Sequence, residues 1–182
     1  LSRNEVGGDP GMVSLDPEGF HRKVLARASR LPDAMLATAT HDHKRGEDAR
    51  ARLAVLTELP EEWRRVVEAW MRRHEALKPK EGLRPAPADE YMLYQTLFSA
   101  WPLDLSLSDE AGVRAFADRV AAWQTKSLRE AKLRSSWVAP ADEYEQVCEA
   151  FLRTVLDPRR NGRTLLELSA FVARAGAAGA LN

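Results

Sequence analysis

The sequence has few of the features that crosslink a protein, insert it in a membrane or give it a strong charge. Cys148 is the only cysteine, so an internal disulfide is excluded and a cytoplasmic location is expected. No apolar run approaches the roughly 20 residues that a membrane span needs, and residues 1–5 form no apolar signal region. Basic and acidic residues number 27 each, which gives a net charge of zero. We therefore expect neither nucleic acid nor a membrane as a partner.

What the chain does have is the composition of a globular domain. Its 182 residues are 45% hydrophobic and 30% charged, which suffices for one hydrophobic core and does not fit a disordered chain. The sequence begins with Leu1 and not with methionine, which favours a piece of a longer protein.

Capping residues and apolar spacing predict a mainly α fold. Helix start signals stand at Asp16-Pro17, Pro60, Asp89, Asp109 and Pro140. The predicted helices cover about residues 16–31, 47–58, 60–77, 89–100, 109–133, 140–157 and 163–178, with a Pro- and Gly-rich loop at 78–88.

Residues 34–40 are the one strand candidate in this helical pattern. They are short and mostly apolar, and periodicity alone does not separate a buried strand from other structure. A lone strand leaves its backbone groups without partners. The sequence therefore predicts a helical, bundle-like region with a short strand or loop segment that belongs to a larger sheet or barrel.

A dense polar segment, residues 38–48, follows the strand candidate and precedes a helix. His41 and Asp42 can bond sugar hydroxyls, and Lys44 and Arg45 add fixed donors. At the carboxyl end of a barrel strand such a cluster is typical of an active site. The alternative is a solvated loop that ends in a helix cap.

The same segment could also suggest a metal site, because His41, Asp42 and His43 are all possible ligands. Adjacent residues rarely reach one ion, and no second His or Cys cluster has suitable spacing. We therefore expect no metal and no cofactor. His21 and His74 are isolated on helices, and we expect both at the surface.

A second charged segment, residues 126–137, also has two interpretations. Its charged residues Arg129, Glu130 and Lys132 fit an exposed, ion-paired helix face. Trp137 at its end could stack on a sugar ring or be a buried anchor. Six other aromatic residues have mostly core spacing, and we expect them to pack in the interior; they are Trp63, Trp70, Tyr91, Tyr94, Trp101 and Trp123. We also expect Cys148 to be a buried, inert thiol.

Four segments together resemble the maltooligosyltrehalose synthases, a family of the α-amylase superfamily. The strongest is residues 37–53, ATATHDHKRGEDARARL. Residues 4–10, 89–97 and 129–145 are similar to further segments of that family in the same order. The resemblance extends over nearly the whole chain.

This resemblance implies a (β/α)8 catalytic barrel with large helical insertions. It also implies an isomerase, a glucan intramolecular mutase of trehalose biosynthesis. Such an enzyme converts the terminal α-1,4 linkage of a maltooligosaccharide into an α,α-1,1 linkage. The family uses a retaining mechanism with a carboxylate nucleophile and a carboxylic acid/base.

The family's His-Asp pair matches His41 and Asp42. Asp42 corresponds to a third catalytic carboxylate that stabilises the transition state, and His41 to a residue that binds a sugar hydroxyl. Lys44 and Arg45 correspond to substrate-binding or loop-fixing donors. His43 departs from the family pattern, in which Thr is usual.

The resemblance divides the chain into residues 1–46, a remnant of the barrel, and residues 47–182, a helical domain. The segments that carry the nucleophile and the acid/base are missing from this sequence. We therefore expect the chain alone to be inactive, with a maltooligosaccharide and the missing barrel as its partners. The alternatives are a free-standing helical interaction module and, more weakly, a metal-dependent phosphohydrolase built on His41 and Asp42.

Overall fold

A computed structural model describes residue 11, residues 14–40 and residues 43–180, with side chains as far as residue 175. The described part is helical, which confirms the mainly α prediction. Its α-helices are α1 (Pro17–Arg30), α2 (Glu47–Val55), α3 (Pro60–His74), α4 (Pro87–Ala100), α5 (Glu110–Ala131), α6 (Asp142–Val155) and α7 (Pro158–Ala180), and a 3-10 turn (Glu75–Leu77) extends α3.

The predicted capping residues start two of these helices. The Asp16 carboxylate accepts a hydrogen bond from the Gly19 amide at 2.7 Å, and the Asp109 carboxylate accepts one from the Gly112 amide at 2.9 Å. Each bond satisfies one of the amide groups that the first turn of a helix leaves without a partner. The cap therefore sets where α1 and α5 begin.

Two helices begin earlier than the sequence predicts. α4 begins at Pro87 and α7 at Pro158, because proline fits the first turn of a helix, where its missing N–H is not needed. α7 is kinked at Asn161, which has non-helical angles of φ −137° and ψ 29°. The buried Asn161 side chain donates to the Val155 carbonyl at 3.0 Å, which ties the kink to the end of α6.

The core is formed by α2 to α7. α2 packs against α4 and α7, and α5 packs against α6. Trp70, Tyr94, Phe98 and Trp101 are almost completely buried. These contacts confirm most of the aromatic core prediction; Tyr91 remains 38% exposed and Trp123 is half-buried.

The prediction that His74 lies at the surface was wrong. His74 is completely buried, and its ring bonds the Tyr94 hydroxyl at 2.7 Å and the Thr164 hydroxyl at 3.1 Å. Burial, reinforced by the charge of Arg73, lowers its pKa to about 4. His74 belongs to the apolar stripe that begins at Trp63, since positions 63, 67, 70 and 74 fall on one face of α3.

The predictions for two other residues are confirmed. His21 is exposed on α1. Cys148 is fully buried, and burial raises the pKa of its thiol to about 11. A thiol that stays protonated at neutral pH is a weak nucleophile.

Residues 34–40 form no strand, which corrects the strand alternative. They run as coil with a bend at Thr38, and Met35 is 98% exposed. The physical reason is that the described part of the chain offers no second strand to pair with the backbone groups of this segment. In that same part, no helix is long and apolar enough to cross a membrane.

Candidate functional site

The described residues 38–40 and 43–46 precede α2, and contacts with α2 hold them in place. Glu47 opens α2, and Glu47 and Asp48 lie in its first turn, where negative charge is favourable beside the helix N-terminus. The Thr38 hydroxyl donates to the Glu47 carboxylate, and this bond holds the pKa of Glu47 below its usual range. The Arg50 guanidinium donates to the Thr38 carbonyl at 3.3 Å, which adds a second contact between the loop and α2.

His41 and Asp42, the two residues with the strongest predicted roles, lie outside the described residues. Their neighbours on either side are bonded to each other. The His43 Nδ1 atom accepts from the Thr40 amide at 2.9 Å, and the His43 amide donates to the Thr40 carbonyl at 3.1 Å. His43, the position that departs from the family pattern, thus has a local structural contact.

Lys44 and Arg45 attach the loop to α5. The Lys44 ammonium lies 3.1 Å from the Glu130 carboxylate, and the Arg45 guanidinium lies 5.0 Å from the centre of the Trp123 ring. Trp123 and Glu130 are seven residues apart, so they share one face of the helix. The structure therefore brings both predicted donors together on α5.

Sequence reasoning missed the partners of this loop on α5. The sequence predicts Glu130 on an exposed, ion-paired face of the helix and Trp123 in the core. Glu130 does pair with Lys126 on its own helix at 4.0 Å, but its shorter contact is with Lys44, 86 positions away in the chain. The sequence carries no signal for the pairing of Lys44 with Glu130 or of Arg45 with Trp123, because contacts between a loop and a distant helix follow no sequence period.

α2 is itself fixed to the helical core. The Arg52 guanidinium donates to the carbonyls of Ser99 and Trp101 at 3.3 and 2.7 Å, at the C-terminal end of α4. These carbonyls lack partners within their own helix, so a cationic donor there is favourable. Through Arg52 and the α5 contacts, the loop that ends at Gly46 is anchored to two helices.

Comparison with known proteins shows what the whole chain is similar to. No family profile matches the chain. A Mycobacterium tuberculosis protein that carries the name maltooligosyl trehalose synthase is 32% identical over 175 residues, which are 95% of this chain and 20% of that protein. The solved synthase of Arthrobacter ramosus matches with a TM-score of 0.69 and 29% identity over 98% of this chain and 21% of its own. A Sulfolobus tokodaii protein of the same name matches with a TM-score of 0.73 and 30% identity over 96% of this chain and 22% of its own.

The chain is homologous to one segment of the maltooligosyltrehalose synthases. This confirms the resemblance that the four sequence segments indicated. Maltooligosyltrehalose synthases are enzymes, and the chain spans about a fifth of the length of the relatives it matches. The individual roles predicted for His41, Asp42, Lys44 and Arg45 stay predictions.

Proposed function

We propose that the chain supplies one part of a maltooligosyltrehalose synthase active site. In this proposal the whole enzyme moves the terminal α-1,4 linkage of a maltooligosaccharide to an α,α-1,1 linkage without net hydrolysis. The observation that carries the proposal is the similarity over 95% of the chain to a protein five times longer.

In the proposed mechanism, Asp42 is the third carboxylate of a retaining glycosidase site. Its negative charge stabilises the oxocarbenium-like transition state, and His41 binds a hydroxyl of the same sugar. The nucleophile and the acid/base belong to the rest of the enzyme. Lys44 and Arg45 hold the loop on α5 through Glu130 and Trp123, and this anchoring supports a role in positioning His41 and Asp42.

The exposed apolar residues before the loop support the assignment to a larger structure. Leu25 of α1 is 70% exposed, Leu31 is 63% exposed and Met35 is 98% exposed. Apolar side chains that follow one another at the surface are costly in an independent domain. In the proposed enzyme the catalytic barrel covers them, with residues 1–46 as part of that barrel, residues 47–182 as the helical domain, and the cytoplasm as the location.

A chimera tests this proposal. The chain replaces the matching fifth of the Arthrobacter ramosus synthase, and the conversion of maltopentaose into a non-reducing sugar is measured. We expect an active chimera, and we expect Asp42→Asn to lower kcat at least about 100-fold, as is usual for a removed transition-state contact. Asp48→Asn is the matched control, because Asp48 is exposed in the first turn of α2, and it should change kcat less than about twofold.

Three results would contradict the proposal. The first is a folded chimera, with a cooperative thermal transition, that has no activity. The second is equal activity of the Asp42→Asn and Asp48→Asn variants. The third is robust conversion of maltopentaose by the 182-residue chain alone, because that chain would then contain a complete active site.

A further inference from the structure

Trp137 is a large aromatic residue that the fold leaves open to solvent. Its side chain is 56% exposed, whereas Trp63, Trp70 and Trp101 are each at most 5% exposed. The buried-anchor alternative for Trp137 is therefore wrong for this structure. Exposure of an indole forgoes the stabilisation that its burial would give, so the position of Trp137 needs another explanation.

The end of α5 explains why Trp137 stands where it does. Lys132 follows the last residue of the helix with φ 55° and ψ 24°, a left-handed conformation that ends a helix and reverses the chain. The loop beyond it is closed by hydrogen bonds between Ser136 and Ala139: the Ser136 amide donates to the Ala139 carbonyl at 3.2 Å, and the Ala139 amide donates to the Ser136 hydroxyl at 3.0 Å. Trp137 lies inside this closed turn.

One face of the Trp137 ring is backed by a fixed cation. The Arg129 guanidinium lies 5.2 Å from the ring centre. Arg129 in turn donates to both oxygens of the buried Glu145 carboxylate, at 2.8 and 2.7 Å, and Ser135 donates to Glu145 as well. A two-point arginine–carboxylate pair has a fixed geometry, so the ring rests on a rigid support.

The cation that supports the ring belongs to a charged group of side chains. Asp142 lies 3.8 Å from Arg129, and its side chain is 75% exposed. A protein surface packed over this site would have to desolvate both charges, which is unfavourable. A sugar ring could stack its apolar C–H face on the indole face opposite Arg129 and keep its hydroxyls in water, so that neither charge has to be desolvated.

The platform lies beside the loop of the proposed active site. Arg129 and Glu130 are consecutive residues in the last turn of α5, and Glu130 holds Lys44. We propose that Trp137, supported by Arg129, is a stacking platform for a glucosyl ring of an α-1,4-glucan. This inference rests on the proposed function and names a contact for a sugar unit of the same substrate.

Titration of the 182-residue chain with maltopentaose tests the platform. The five tryptophans give indole N–H signals in an NMR spectrum, and a Trp137→Ala variant assigns the signal of Trp137. We expect that signal to shift and saturate with a Kd of about 1–10 mM, which is the weak affinity of a single stacked sugar. The signals of the three buried tryptophans should stay in place.

Matched variants in the same loop sharpen the test. Trp137→Ala should weaken maltopentaose binding at least about tenfold, measured on the backbone amide signals of residues 129–140, and Trp137→Phe should retain part of it. Val138→Ala should bind as the unchanged chain does, although Val138 is 97% exposed and adjacent. Retained folding is checked by the helical circular dichroism signal.

The platform is contradicted if the Trp137 signal does not shift at about 50 mM maltopentaose, well above the expected Kd. It is also contradicted if Trp137→Ala binds maltopentaose as tightly as Val138→Ala does. A third contradicting result is that acrylamide does not quench the fluorescence of Trp137 in the sugar-free chimera, because the ring would then be covered by protein. Failure of the proposed function is seen separately, in the activities of the chimera and of its Asp42→Asn variant, because Trp137 is unchanged in both.

Discussion

His74 connects several of the buried polar groups in the described part of the chain. Besides Tyr94 and Thr164, its ring meets the Asn161 side chain at 2.9 Å. The Tyr94 hydroxyl donates onward to Glu90 at 2.6 Å, and Glu90 pairs with Lys78 at 2.6 Å. Such a network stabilises a fold only while every member keeps its partner.

Replacement of His74 should therefore be costly. His74→Ala leaves a cavity and removes the partner of several buried polar groups, so we expect the free energy of unfolding to fall by about 2–4 kcal/mol. His21→Ala is the matched control, because His21 is exposed, and it should change the value by less than about 0.5 kcal/mol. Urea unfolding followed by circular dichroism measures both, and similar losses in the two variants would refute the role given to His74.

Two helices with the same N-terminal cap differ in how much they contribute to the hydrophobic core. α1 and α5 begin with the same Asp-x-x-Gly pattern and the same cap. α5 buries Val113, Phe116 and Val120 in the core, whereas the side chains of α1 are largely exposed, with Gly19 as the buried residue among them. The same cap thus serves one helix that contributes to the core and one that hardly does.

Removal of each cap should affect the stability of the whole protein differently for α5 and for α1. Asp109→Ala should lower the free energy of unfolding by about 1 kcal/mol, because the first turn of α5 loses its acceptor. Asp16→Ala should leave the global unfolding transition unchanged within about 0.3 kcal/mol and only speed amide hydrogen exchange within α1. If Asp16→Ala lowers the global stability as much as Asp109→Ala, α1 must be packed into the core more firmly than its exposure indicates.

At the scale of the whole molecule, the buried His74 links stability to pH. Its pKa is about 4 in the folded chain against an ordinary value of 6.5, so between these values the unfolded chain binds a proton that the folded chain does not. Stability is therefore complete above pH 6.5 and is lost as the pH falls towards 4. At roughly 1.4 kcal/mol for each unit of pKa difference, the loss is on the order of 3 kcal/mol.

A second loss begins at lower pH and has a different origin. Burial opposes ionisation of Glu167, but hydrogen bonds from Arg73, Arg163 and Trp70 outweigh it and lower its pKa to about 2. A carboxylate with a lowered pKa stabilises the fold at pH values above its ordinary pKa of 4.5. This stabilisation is lost as the pH falls below 4.5. The His74 and Glu167 effects therefore occupy adjoining pH ranges.

Urea unfolding at several pH values can separate the two groups. The unchanged chain and His21→Ala should both lose stability between pH 6.5 and 4.5, whereas His74→Ala should show a much flatter dependence over that range. All three should lose stability below pH 4.5. An equally steep dependence between pH 6.5 and 4.5 in His74→Ala would show that another group causes it.

The sequence by itself determined where most of the helices lie and showed the resemblance to the maltooligosyltrehalose synthases. Caps such as Asp16 and Asp109, prolines such as Pro60 and the apolar spacing of α3 are local signals, because a helix bonds its own backbone within four residues. The resemblance was recognisable for a related reason: the residues around Lys44 and Arg45 that carry it are contiguous in the sequence.

Only the tertiary structure decided which residues meet across the chain. It placed His74 inside, left Trp137 outside, paired Lys44 with Glu130 and left residues 34–40 without a strand. Each of these outcomes depends on groups far apart in sequence, and burial is a property of what packs around a residue and not of the residue's own type. For the same reason, the length and the apolar pattern of residues 34–40 could not reveal that the described chain holds no partner for them.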